Sequence, residues 1–191
     1  MTLQAPLKNL KDVSVVILAA GKGSRFGESY TKLLHPIFDK PLIYYPIHNL
    51  NNLGVGQVIA VISDPKVEEE IRQNTNCEFV YQENLNGTAK AVELARLKSP
   101  AGTKLIMVLN GDDATHNTKK TLDEFLKSHE VNKAHISMMT MKTSRNMEVG
   151  RIIRDKKRNF SKILEYNEYL ESGVRSNEIN CGVYLIDLEF A

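Results

Sequence analysis

The 191-residue sequence has little of what would take a chain out of the ordinary globular class. It has only two cysteines, Cys77 and Cys181, far apart and in neither a C-x-x-C nor a metal-ligand pattern. Disulfides are therefore not expected to hold the fold, and a cytoplasmic, reducing location fits. Long apolar runs are also missing. The first strong one, Val13 to Ala20, falls far short of the roughly 20 residues that cross a bilayer, so no membrane partner is expected. Leu18-Ala19-Ala20 imitates a leader-cleavage site, but the preceding Lys8, Asn9, Lys11 and Asp12 favour a buried strand. A dominant charge is absent too: 25 basic residues stand against 23 acidic ones. A net +2 cannot hold the chain on nucleic acid, so any bound anion must be gripped locally. The five histidines show neither H-x-x-x-H nor H-x-E spacing, and no G-x-S-x-G element occurs. Zinc chemistry and the common serine hydrolases are thereby unsupported.

What is present is 42% hydrophobic and 25% charged residues, enough for one sizeable core over residues 1–191. Val13 to Ala19 is short, β-branched and bounded by glycine, as a strand buried on both faces should be. Similar runs recur at Gln57 to Ile62, Cys77 to Tyr81 and Lys104 to Leu109. Helical spacing separates them at Pro41 to Leu53, Lys66 to Gln73, Thr88 to Lys98 and Thr118 to His129. This alternation predicts right-handed βαβ units in a Rossmann-like three-layer α/β/α fold with a mainly parallel sheet. After His129 the rhythm turns strand-rich, at Ala134 to Met141, Arg151 to Arg154, Ser161 to Tyr166 and Glu178 to Ile186. Residues 12–130 and 131–191 are thus read as a main part and a smaller β-rich lobe. Lys156-Lys-Arg158-Asn159 reads as a hairpin tip.

Ligands of open parallel sheets bind at the carboxyl ends of the strands. After the first strand comes Leu18-Ala19-Ala20-Gly21-Lys-Gly23-Ser-Arg25. Its glycines let backbone N–H groups approach a phosphate, with Arg25 and Lys32 supplying charge. It is not a Walker loop, because the nearby Thr31-Lys32 pair is reversed and lacks the glycine, and its G-x-G-x-x-x-G is one residue too long for the dinucleotide fingerprint. Gln82 follows the third strand, and its side-chain amide offers both a donor and an acceptor. Asn86-Gly87 alone would be a turn, with Thr88 capping the next helix. Asn110-Gly111-Asp112 follows the fourth strand, where Gly-Asp taken alone would be an ordinary turn.

Taken together, Leu18-Ala-Ala-Gly-Lys-Gly-Ser-Arg25, Lys32-Leu-Leu-His-Pro-Ile37 and Lys40-Pro-Leu-Ile43 resemble the signature of the sugar-phosphate nucleotidyltransferases. The likeness is strongest to the N-acetylglucosamine-1-phosphate uridylyltransferase domain. It implies the nucleotide-diphospho-sugar transferase type of fold. It also implies a reaction in which UMP passes from UTP to N-acetylglucosamine 1-phosphate, with Mg²⁺ as cofactor. By the same resemblance Leu18, Ala19, Ala20, Gly21, Gly23, Gln82, Gly87, Thr88, Asn110 and Gly111 bind the nucleotide. Arg25 and Lys32 are catalytic, and Asp112 carries the metal. In the second lobe Val149-Gly150-Arg151-Ile152, Ile163-Leu164-Glu165 and Glu178-Ile179-Asn180-Cys181-Gly182 resemble the family's sugar-binding elements. Gly150, Glu165 and Asn180 are the implied sugar ligands.

The sequence departs from the pattern at Thr31, Asp39, Asp113 and Cys181. It also ends at Ala191, before the segment that brings a second metal ligand in the family, so a C-terminally truncated domain is expected. Two alternatives stay open: a cytidylyl- or molybdopterin-type transferase of the same fold, and a non-catalytic nucleotide-binding module. The sequence gives no oligomeric state.

Overall fold

The β-branched runs become strands in the computed structural model, which describes residues 10–21, 31–72, 75–83, 87–112 and 118–189. In chain order the elements begin with β1 (Val13–Ala19), β2 (Pro36–Ile37), β3 (Lys40–Pro41), α1 (Tyr44–Leu53) and β4 (Gln57–Ile62). Next come α2 (Pro65–Arg72), β5 (Glu78–Tyr81), α3 (Thr88–Arg96), β6 (Leu105–Asn110) and α4 (Lys119–Val131). The chain finishes with β7 (Ile136–Lys142), β8 (Arg151–Arg154), β9 (Phe160–Leu164), α5 (Tyr166–Ser172) and β10 (Glu178–Asp187). Two units result: residues up to Ser137 together with those from Tyr184 onward, and Met138–Val183. The first unit thus extends past the 130/131 division read from the sequence, and β10 starts in the second unit and ends in the first.

In the first unit β5, β4, β1 and β6 lie side by side in that order, all parallel, and Tyr184–Asp187 of β10 pairs antiparallel with β6. Strand order runs outward from β1 to β4 and β5 on one side and then returns to β6 on the other. The gap between the carboxyl ends of β1 and β6 is therefore the topological switch point, where open α/β sheets bind ligands. Alternate residues serve the two faces. Val16, Ile59, Val61, Ile106 and Val108 pack with Ala91, Val92 and Ala95 of α3. The opposite set, including Ile17, Ala60, Ile62, Met107 and Leu109, is fully buried as well. Burial on both faces explains why these strands are continuous apolar runs and not alternating ones.

Helix α1 begins at Tyr44 and not at the predicted Pro41. Lys40 and Pro41 pair with Ile37 and Pro36 in a two-stranded ribbon whose tip, Phe38, has a left-handed φ of 56°. Pro46 then falls in the first helical turn, where its missing N–H has no cost. Helix α4 starts where expected, with the Thr118 hydroxyl accepting from the Thr121 amide at 3.2 Å.

In the second unit β8 pairs antiparallel with β9 and with the start of β10. The tip joining β8 to β9 is the Lys156–Asn159 turn. The Asp155 carboxylate accepts from the amides of Lys157 and Asn159, and Arg158 takes a φ of 68°. The strand predicted to reach Tyr166 instead stops at Leu164. Glu165 turns the chain into α5, which the sequence reading missed.

Candidate functional site

The switch point is assembled from the ends of three strands. Leu18 stands opposite Asn110 in the ladder, and the Gly111 amide donates to the Leu18 carbonyl at 2.9 Å. Contact here is so close that a Cβ on Gly111 would sit 2.9 Å from the Leu18 oxygen and 3.2 Å from the Ile17 side chain. Only glycine fits. On the other flank the Ser63 hydroxyl donates to the Ala20 carbonyl at 3.0 Å, which ties β4 to the segment leaving β1. Ala19 and Ala20 are buried, while Gly21 is exposed and a Cβ there would meet nothing within 4 Å. Gly23, Arg25 and Asp113 lie outside the described residues.

Lys32 opens a 3₁₀ turn, Lys32–Leu34. Its neighbour Leu33 is buried, packs beside Gly111 and accepts the Ile43 amide through its carbonyl at 3.1 Å. With the turn anchored in this way, the Lys32 ammonium donates to the Asp112 carboxylate. The side chains are 36% and 38% exposed, so the pair adds about 1 kcal/mol or less to stability. Its meaning is positional: a cation and a carboxylate meet at the mouth of the switch point. Lysine has three donors and an ionised aspartate about four lone-pair sites, so neither group is saturated by the other. Among the described residues no group of three histidine, cysteine or acidic side chains could cage a metal. One accessible carboxylate does suit Mg²⁺, which commonly binds one or two carboxylates plus substrate phosphates.

Gln82 is 5% exposed. Its amide donates to the Ile62 carbonyl at 2.8 Å, and its side-chain Nε2 donates to the Gly87 carbonyl at 3.4 Å. Gly87, not Thr88, is the N-cap of α3, with φ 86°. That angle disfavours any residue with a Cβ, so the chain turns on the glycine and Thr88 becomes the first helical residue. The amides of the first helical turn have no intrahelical partner, and they lie next in sequence to the Gln82 contact.

In the second unit Gly150, Glu165 and Asn180 come together. The Asn180 amide donates to the Gly150 carbonyl at 2.9 Å. A Cβ on Gly150 would lie 3.0 Å from Ile163 Cγ2, and 3.7 Å from both Asn180 Cβ and Glu165 Oε1. Glu165 is the N-cap of α5. Its carboxylate accepts from the Glu168 amide, and its own amide donates to the Glu168 carboxylate at 3.1 Å. The Gly182 amide donates to Asn180 Oδ1 at 3.0 Å, at a φ of 68°. That contact fixes how the Asn180 amide is presented.

Four residues near these positions were given no role of their own in the sequence reading. Ser63 was legible in principle, since it follows a strand directly. Gly182 could have been read as a kink, because a glycine two residues after a polar strand residue invites a local turn. The third is Glu178. Arg154 donates to its two oxygens through Nε and Nη2, each at 2.7 Å, and the Thr140 hydroxyl adds a third bond at 2.7 Å. The Arg154 guanidinium holds the Glu178 carboxyl down at about 2. No pattern in the sequence announces that pairing. The fourth is Arg151, whose burial to 4% exposure runs against the habit of arginine.

Residues 14–190 match the nucleotidyl transferase family. The bifunctional protein GlmU of an Exiguobacterium species is 31% identical over 174 residues, which cover 91% of this chain and 38% of that protein. GlmU of Desulfotalea psychrophila is 32% identical over 186 residues, covering 96% of this chain and 54% of that protein. The chain therefore spans between about a third and a half of these relatives. A Bacillus anthracis structure with bound sucrose, described as a glucose-1-phosphate thymidylyltransferase, superposes with a TM-score of 0.71 at 19% identity. The superposition covers 92% of this chain and 71% of that one, and it establishes the fold. No helix among the described residues is long and apolar enough to cross a membrane.

Proposed function

The chain belongs to the nucleotidyl transferase family, and we propose that it transfers UMP from UTP to N-acetylglucosamine 1-phosphate, releasing pyrophosphate. The observation that carries this reading is the Lys32–Asp112 pair at the switch point of β1 and β6. A cation for a phosphoryl group and a carboxylate for its metal meet where the fold places ligands.

A phosphate oxygen of the sugar phosphate attacks the α-phosphorus. The bond from that phosphorus to the bridging oxygen breaks, and pyrophosphate leaves with the electron pair. The attacking oxygen is already anionic near neutral pH, so no residue needs to remove a proton. The protein's task is orientation and charge neutralisation. Lys32 donates to the α-phosphoryl oxygens as charge accumulates on them. Gly21 and Gly23 cradle the triphosphate on backbone N–H groups, Leu18, Ala19 and Ala20 belong to the nucleotide site beside them, and Arg25 offsets charge on the leaving pyrophosphate. Gln82, Gly87 and Thr88 read the base edge, with Asn110 and Gly111 closing the nucleotide site. Gly150, Glu165 and Asn180 hold the sugar: a carboxylate accepts from hydroxyls, and an amide pairs with an acetamido group. Asp112 would hold Mg²⁺, which when bound supplies charge neutralisation and orientation of the triphosphate. Cys77 and Cys181, neither of them in a disulfide, fit a reducing, cytoplasmic setting.

Uracil and thymine present the same hydrogen-bonding edge, so the base and the sugar are decided by assay. Pyrophosphate release is measured with Mg²⁺ for UTP, dTTP, CTP and ATP, each against N-acetylglucosamine 1-phosphate, glucose 1-phosphate and no acceptor. Release that depends on the acceptor and is fastest with UTP is expected. A preference for dTTP with glucose 1-phosphate would overturn the substrate assignment, and release without any acceptor would overturn the transfer reaction.

A further inference from the structure

Arg151 is the least expected residue of the second unit. It is 4% exposed and forms no ion pair among the described residues. Its Nη2 donates to the Met147 carbonyl at 2.9 Å, its guanidinium lies over the Tyr169 ring at 5.2 Å from the centroid, and its Nη1 is buried with no hydrogen-bond partner. A buried cation held this loosely is a poor device for stability. Desolvating a guanidinium is expensive, and well-packed apolar replacements of buried charges are often neutral or stabilising.

Its place in the sheet gives it another use. Arg151 stands opposite Leu164 of β9 and Ile179 of β10. The residues adjoining these three in sequence are Gly150, Glu165 and Asn180, the three sugar ligands of the reading above, on which this inference rests. We propose that Arg151 is a positioning residue for the sugar subsite. Through Met147 its guanidinium holds the segment that delivers Gly150. Through Tyr169 it holds α5, whose N-cap is Glu165. The three ligands are carried on separate pieces of chain, and one planar, rigid group reaches two of those pieces at once. The planarity matters, because an ammonium cannot stack on a ring while reaching a carbonyl as guanidinium does.

The test compares the wild-type chain with Arg151→Met and Arg151→Lys. Arg151→Met is expected to melt at the wild-type temperature or above it, because a buried charge has been removed. It should raise KM for the sugar 1-phosphate by roughly 10- to 100-fold, the scale expected when ligands shift by about an ångström. Changes in kcat and in KM for the nucleoside triphosphate should stay within about 3-fold on the same argument. Arg151→Lys, which keeps the charge and the Met147 contact, should recover part of the sugar KM. Equal effects on both substrates, or a sugar KM that does not move in a folded variant, would overturn the proposal. Amide exchange supplies a readout that needs no activity. The Asn180 amide, bonded to Gly150, and the Tyr169 amide, bonded to the Glu165 carbonyl at 2.8 Å, should exchange about 10-fold faster in Arg151→Met, while β6 amides stay unchanged. Unchanged exchange at both sites would overturn the positioning role. Faster exchange in a chain that transfers to no sugar phosphate would uphold it and fail the substrate reading instead.

Discussion

Replacing Glu178 by glutamine should destabilise the chain in a pH-dependent manner that identifies the Arg154 pair as the cause. The Glu178 carboxyl falls from an ordinary 4.5 to about 2, chiefly through the Arg154 hydrogen bonds. Each unit is worth about 1.4 kcal/mol, which sets a ceiling of about 3 kcal/mol. The Glu178 side chain is only 12% exposed, but that of Arg154 is 37% exposed. Solvent screening of the arginine brings the figure to about 2 kcal/mol. Because the folded value is depressed, the stabilisation is fully present above the unfolded value near 4.5 and is lost as pH falls toward about 2. Melting curves of wild type and Glu178→Gln from pH 7 down to pH 2 provide the assay. A chain of this length should melt about 4–8 °C lower in the variant at pH 7, given 2–4 °C per kcal/mol. The gap should narrow below about pH 4.5 and close near pH 2. A gap that stays constant across the range would mean that the lost contact is steric or neutral, and the electrostatic reasoning would be wrong.

Lys32→Ala should lower kcat of the proposed transfer by about 100-fold or more, the scale for removing one preorganised donor to developing charge. Its melting temperature should be nearly unchanged, because both partners of the Asp112 pair are over a third exposed, and near-normal turnover in a steady-state pyrophosphate assay would remove Lys32 from the chemistry. Gly111→Ala forces a Cβ to 2.9 Å from the Leu18 oxygen and should destabilise by about 1–3 kcal/mol. In the same melts it should lose stability while Lys32→Ala does not, and an unshifted midpoint would show that β1 and β6 can part without penalty.

The central strands were legible because strands buried on both faces leave no room for polar alternation, and β1, β4 and β6 carry the resulting β-branched runs. The positions of Gln82 and Asp112 were legible for a related reason, since each lies just beyond a strand whose end is marked by glycine or by the loss of apolar residues. Lys32, which opens a 3₁₀ turn, was picked out instead by its charge near the glycine loop and by the motif it resembles. What could not be read were features decided by neighbours distant in the chain. Helix α5 is seven residues long with no buried side chain, so it leaves no hydrophobic period, and its start depends on a Glu165–Glu168 reciprocal cap. The Glu178–Arg154 pair joins residues 24 apart, and the burial of Arg151 follows only from its register opposite Leu164 and Ile179.

Many of the residues first read as ligands turn out to have a geometric task as well. Gly87 and Gly111 are required by backbone angle or close approach, Glu165 caps a helix, and Asn180 is bridged to Gly182. Gly182, which was not read as a ligand, is required by its own left-handed angle. The recurring blocks therefore encode first a set of backbone turns that bring strand ends together, and only then a small set of reactive side chains. Substitutions at the glycines should consequently act through stability and substrate affinity together. Substitutions at Lys32 should act on turnover alone, and that difference separates the frame of the site from its chemistry.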